Sequence, residues 1–102
     1  MDIQVAHESE GIVITVSGVM KKEDAKQLSE TIDSVKATRP KKLAFNFTDL
    51  AAMSYDSCPY LVSSLERARI GKQNVQAFGC NNVIERTLRG GGFERVGTLI
   101  GA

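Results

Sequence analysis

The chain has 102 residues, a length for one domain built on one core, so a single domain spanning residues 1–102 is expected. Hydrophobic residues make up 42% and charged residues 25%, which places it with ordinary globular proteins and outside the low-hydrophobicity, high-charge regime of disordered chains. Thirteen Lys and Arg against twelve Asp and Glu leave a net charge of +1, so no overall field draws it onto nucleic acid or an acidic membrane.

Apolar stretches such as residues 11–16 run only a handful of positions, against the roughly 20 a membrane-spanning helix needs. The N-terminus lacks the basic-then-apolar pattern of a signal peptide, and a cytoplasmic location is expected. Cys58 and Cys80 form no CxxC pair or Cys/His cluster, so free thiols are expected, with no metal site and no cofactor. Asn46-Phe47-Thr48 matches a glycosylation sequon, which is without meaning in a protein that is not exported.

In chain order, Ile3-Val5-His7 and Ile12-Ile14-Val16 alternate on either side of the polar stretch Glu8-Ser9-Glu10-Gly11, the pattern of a β-hairpin. The charged run Lys21-Lys22-Glu23-Asp24 then opens a helix of about four turns, whose apolar face is Ala25, Leu28, Ile32 and Val35. Pro40 fixes its end, because the residue before a proline disfavours helical geometry. Leu43, Phe45 and Phe47 alternate as a third strand until Thr48-Asp49 interrupts them.

From Asp56 a second helix carries Leu61, Leu65 and Ala68, with Asp56 or Ser57 placed to cap its start and Gly71 its end. A short strand, Val75 to Phe78, follows, and Asn81-Asn82 cap a third helix bearing Val83, Ile84 and Leu88 until Gly90-Gly91-Gly92 stops it. The last apolar residues, 96–100, suit either a short strand or a docked tail. The order β-β-α-β-α-β-α predicts an α/β domain, a mixed sheet with parallel strands covered by helices.

Candidate chemistry is sparse. The only histidine, His7, sits in the first strand, and no GxSxG elbow surrounds Ser57, so a hydrolase is not expected. The glycine triplet follows a helix and carries no phosphate-loop pattern. Arg86, Arg89 and Arg95 are interspersed with Glu85 and Glu94, a mixed-charge surface. The informative stretch is Met53-Ser54-Tyr55-Asp56-Ser57-Cys58-Pro59, where a serine stands on an exposed turn at a helix start. There the positive end of the helix dipole would accept a phosphate without unfolding the helix. Cys58, beside the same terminus, is expected to have a lowered thiol pKa.

Three segments, Gly11-Ile12-Val13-Ile14-Thr15-Val16-Ser17-Gly18, Leu43-Ala44-Phe45-Asn46-Phe47-Thr48-Asp49-Leu50 running into Met53-Ser54-Tyr55-Asp56-Ser57, and the Gly-bounded strand Asn74 to Gly79, resemble the STAS family. The resemblance covers essentially the whole chain and is carried most specifically by the Asp56-Ser57 pair between strand and helix. It implies an anti-anti-sigma factor, not an enzyme: a regulator that docks on an anti-sigma factor with serine-kinase activity and is released by phosphorylation at Ser57. Met53, Tyr55, Asp56, Ser57 and Cys58 would form the docking surface, with exposed Met53 and Tyr55 as anchors. The family pattern continues with a small or hydroxyl residue and a glycine where this chain has Cys58 and Pro59. Two further readings need no phosphoacceptor: an accessory STAS subunit of an ABC-type lipid transporter, and a non-phosphorylated signalling scaffold. The resemblance leaves a homodimer open.

Overall fold

Ile12, Ile14 and Val16 alternate with half-buried Val13, Thr15 and Ser17. In the computed structural model, which describes residues 1–101, this alternation makes the central strand. Strand β1 (Asp2–Glu8) pairs antiparallel with β2 (Gly11–Met20), from Glu8 opposite Gly11 to Asp2 opposite Ser17. Helix α1 (Lys22–Lys36) follows, its first turn tied where Asp24 Oδ2 accepts from the Lys21 amide at 2.8 Å. It buries the face expected of it, Ala25, Leu28, Ile32 and Val35, and ends at Ala37 ahead of Pro40.

Next come β3 (Leu43–Asn46), β4 (Leu50–Met53), a 3-10 turn at Tyr55–Ser57 and α2 (Cys58–Ala68). Strand β5 (Val75–Phe78), α3 (Asn82–Gly90) and the two-residue strand β6 (Thr98–Leu99) complete the chain. The sheet runs β1-β2-β3-β5-β6, with β4 attached to the far end of β2. Strands β2, β3, β5 and β6 are parallel and step in one direction across the sheet. Right-handed crossovers therefore place their connecting helices on one face. Burial agrees: Ile12, Ile14, Val16, Leu43, Phe45, Val75 and Ala77 join the helix faces in a single core cluster, while Thr15, Ala44, Asn46 and Gln76 on the opposite face stay half-exposed.

The expected α/β architecture and element order hold, with two local differences. Leu50–Met53 is a strand that the sequence did not show, because Leu-Ala-Ala-Met has no alternation and owes its conformation to pairing with β2. Gly71 does not cap α2; Arg69 does, in the left-handed region at φ 53°, its amide donating to the Leu65 carbonyl. Of the two conformations left open for the last apolar segment, it takes the strand, Gln76 pairing with Thr98 and Ala77 with Leu99. Asn81 caps α3 as expected, its side chain accepting from the Ile84 amide at 2.9 Å, and the glycine triplet ends that helix.

The end of α3 packs closely on the start of α2. A Cβ on Gly91 would collide with Cys58 Sγ and lie 2.8 Å from Cys58 Cβ. Gly91 has an ordinary φ of −87°, so the demand for glycine is steric, with no strain in the backbone. Gly91→Ala is expected to destabilise the fold by about 1–3 kcal/mol in denaturant unfolding, and adding Cys58→Ala to recover part of the loss. Equal losses in both backgrounds would refute the contact.

Candidate functional site

The stretch singled out in the sequence sits at one end of the sheet, past the C-terminal ends of β2 and β4. Met20 pairs with Met53, and the Ser54 amide then donates to the Met20 carbonyl at 2.9 Å, pinning the chain as it leaves the sheet. Ser54 is extended, at φ −74° and ψ 151°, and starts the 3-10 turn. Within the turn, the Ser57 amide and the Ser57 hydroxyl both donate to the Ser54 carbonyl, at 3.2 and 2.6 Å. The Ser54 hydroxyl donates to Asp56 Oδ1 at 2.7 Å, and the Cys58 amide donates to the Tyr55 carbonyl. Helix α2 starts immediately, with Pro59 in its first turn, where a missing N–H orphans nothing.

All five predicted residues come to this one end, yet they divide sharply by exposure. Tyr55 is 78% exposed and Asp56 is also at the surface. Ser57, expected on an exposed turn, has no exposed surface. The cause is geometric: Ser57 has helical dihedrals, φ −80° and ψ −32°, which turn its side chain inward onto the Ser54 carbonyl, so it does not cap α2. Asp56 does not cap it either, being engaged by Ser54. Met53, expected as an exposed anchor, is only 6% exposed, since its pairing with buried Met20 points it into the core. Cys58 is likewise buried against Gly91.

Neighbours that sequence spacing did not bring forward share this end. Val19 pairs with Ala52 and is exposed, and Val83 in the first turn of α3 is 61% exposed. Asn81 links α3 to β4 by donating to the Ala51 carbonyl at 3.2 Å. An exposed valine in a strand or helix leaves no periodic signal, so only the fold reveals these residues. His7 lies at the opposite end, paired with Ile12 at the start of β2. The length of β2 separates it from Ser57 by on the order of 25 Å at ~3.3 Å per residue, too far for a triad.

No protein-family model matches the chain, and no curated protein matches it either. Solved structures do. A crystal structure of an anti-sigma factor antagonist from Mycobacterium paratuberculosis superposes with a TM-score of 0.81 at 19% identity, covering 99% of this chain and 86% of that one. The anti-sigma factor antagonist SpoIIAA in its unphosphorylated form gives a TM-score of 0.71 at 13% identity, covering 99% and 89%. The Bacillus cell fate determinant SpoIIAA in the phosphorylated form gives 0.70 at 12%, covering 98% and 92%. The chain thus has the fold of the anti-sigma factor antagonists, the fold that the STAS resemblance implied.

The thiols behave differently from the expectation drawn for a helix N-terminus. Burial pushes the Cys58 thiol up from its ordinary value of 9.0, because desolvation penalises the thiolate more than the dipole favours it. Burial, and then the negative charge of Glu85, push Cys80 up to about 11. Both groups are therefore protonated thiols in the folded protein at neutral pH. A raised folded pKa means stability that is full below pH 9.0 and declines as pH rises through about 11. Alkylation of the native protein at pH 8 is expected to be slow at Cys80 and slower at Cys58, with both rising steeply once the chain unfolds. Fast native labelling of Cys58 at pH 7 would contradict its burial.

Proposed function

We propose that this chain is an anti-sigma factor antagonist, a protein-binding regulator without catalytic activity of its own. It docks on an anti-sigma factor with serine-kinase activity and is released by phosphorylation at Ser57. The observation that carries this reading is the segment Tyr55-Asp56-Ser57 at the head of α2. An exposed aromatic and an exposed carboxylate there stand directly before a serine, in a fold shared with anti-sigma factor antagonists. One structure of that fold is of a phosphorylated form. No helix among the described residues is long and apolar enough to cross a membrane.

Physical chemistry gives the release step two components. A phosphoserine carries roughly −1.5 to −2 charges near neutral pH, and it would sit beside Asp56, already negative. Like charges brought together across an interface cost several kcal/mol, so docking is opposed directly. The second component is shape. Ser57 has no exposed surface, so the closed turn has no room for a phosphate, and the modified turn must rearrange next to Tyr55. Phosphorylation thus alters both the charge and the form of the docking surface.

Burial of the Ser57 hydroxyl also favours a second reading, the scaffold that is never phosphorylated. The two part on a single variant series. Tyr55→Ala is expected to weaken docking by at least about 1 kcal/mol while leaving the melting temperature unchanged, as suits an exposed anchor. Ser57→Ala is expected to cost about 1 kcal/mol of stability, the worth of one hydrogen bond, to dock normally and to resist phosphorylation.

Ser57→Asp places a charge where the wild type buries a hydroxyl, and is expected to cost about 1–3 kcal/mol in denaturant unfolding. Its affinity should fall more than about tenfold, or 1.4 kcal/mol, by calorimetry. Wild-type affinity in Ser57→Asp, or an unmodified Ser57 by mass spectrometry after incubation with the kinase and ATP, overturns the switch in favour of the scaffold.

A further inference from the structure

We infer that the 3-10 turn Tyr55–Ser57 is a latch, closed in the free protein, whose local opening is what makes Ser57 available for modification. The inference rests on the reading of Ser57 as a phosphoacceptor. Phosphoryl transfer forms a bond between Ser57 Oγ and the γ-phosphorus of a nucleoside triphosphate, breaks the bond to the diphosphate leaving group, and gives the hydroxyl proton to a base of the kinase. In the closed turn that oxygen has no exposed surface, and its proton is already committed to the Ser54 carbonyl at 2.6 Å. A kinase cannot align a triphosphate with it there.

The hydrogen bonds that close the turn all lie within residues 54–58, and the turn also packs against α1. The Ser54 carbonyl holds the amide and the hydroxyl of Ser57, the Tyr55 carbonyl holds the Cys58 amide, and Asp56 holds the Ser54 hydroxyl. One bond on the N-terminal side, Ser54 amide to Met20 carbonyl, fixes the hinge to β2. On the C-terminal side, α2 is held independently by Leu61, Val62 and Leu65 in the core and by Cys58 against Gly91. Pro59 has no N–H, so opening the turn orphans no amide at that position of the helix. The turn can therefore open while both flanking elements stay folded, the behaviour of a low-stability local unit on a stable scaffold. Tyr55 and Asp56 project outward from the same three residues whose serine faces inward, so the latch lies directly under the proposed docking anchor.

The latch can be tested without any kinase. In a Cys80→Ser background, Ser57→Cys replaces the hydroxyl with a thiol, and the background alone measures labelling of buried Cys58. The free protein is titrated with N-ethylmaleimide in water and in low denaturant. The introduced thiol should react at least about tenfold more slowly than in the unfolded chain, with a rate that hardly depends on denaturant, the mark of an opening that exposes little surface. Adding Ser54→Ala, which removes the tie to Asp56, should speed labelling several-fold.

Amide hydrogen exchange on the unmodified chain gives a second measurement: the Ser57 amide should exchange well before that of Leu65. Labelling as fast as in the unfolded chain would show that the turn is not closed. Labelling or Ser57 exchange that occurs only with global unfolding would show that no local latch exists. A closed, locally opening turn combined with no phosphorylation under ATP would instead leave the latch standing and remove the phosphoacceptor reading.

Discussion

Strand β2 hydrogen-bonds to three others, and the arrangement of the molecule follows from how it divides its edges among them. One edge holds β1 along residues 2–8. The other edge serves β3 from Ile12 to Thr15 and then β4 from Gly18 to Met20, with the register shifting between Gly18 and Val19. Gly18 makes the change with φ at +93°, a conformation side chains rarely adopt, and its amide donates to the Asp49 carbonyl at 3.1 Å. Because the far end of β2 is handed to β4, the chain leaving β4 is delivered to the tip of the sheet. That delivery sets Ser54 on Met20 and starts the turn that carries Tyr55, Asp56 and Ser57.

At that tip two physical effects compete, and magnitudes decide between them. A helix start offers a positive dipole end, which favours thiolates and phosphates at the surface by a few tenths to about 1 kcal/mol. Burial of an uncompensated charge costs more than that. Cys58 is buried, so desolvation keeps its thiol protonated, while the helical dihedrals of Ser57 turn its neutral hydroxyl inward onto the Ser54 carbonyl. The dipole becomes relevant to Ser57 only after its side chain turns outward. Cys58 and Pro59, where the family pattern has a small or hydroxyl residue and a glycine, fit this packing: the cysteine fills the space left by Gly91, and the proline starts the helix.

Legibility in the sequence tracked the range of the forces involved. Helix α1 was readable because Ala25, Leu28, Ile32 and Val35 repeat on one face and Pro40 bounds them. Strands β2, β3 and β5 were readable from alternation or short bounded apolar runs. Strand β4 was not, since its conformation comes from β2, far away in sequence. The place of Asp56-Ser57 in the fold was legible because motif order put the pair between a strand and a helix. The direction in which Ser57 and Met53 point was not legible: it depends on the dihedrals of one 3-10 turn and on the pairing of Met53 with Met20. Gly91 was read correctly as part of a helix stop, while its second role against Cys58 depends on a tertiary contact.

The proposed docking surface is this tip of the sheet. Amide hydrogen exchange of the chain alone and in complex with the proposed anti-sigma partner, mapped peptide by peptide, tests that docking surface. Protection should concentrate in residues 51–62 and in the first turn of α3 around Val83, with β1 and residues 38–42 unchanged. Protection confined to β1 or to residues 38–42, with none across Tyr55 and the start of α2, would contradict it.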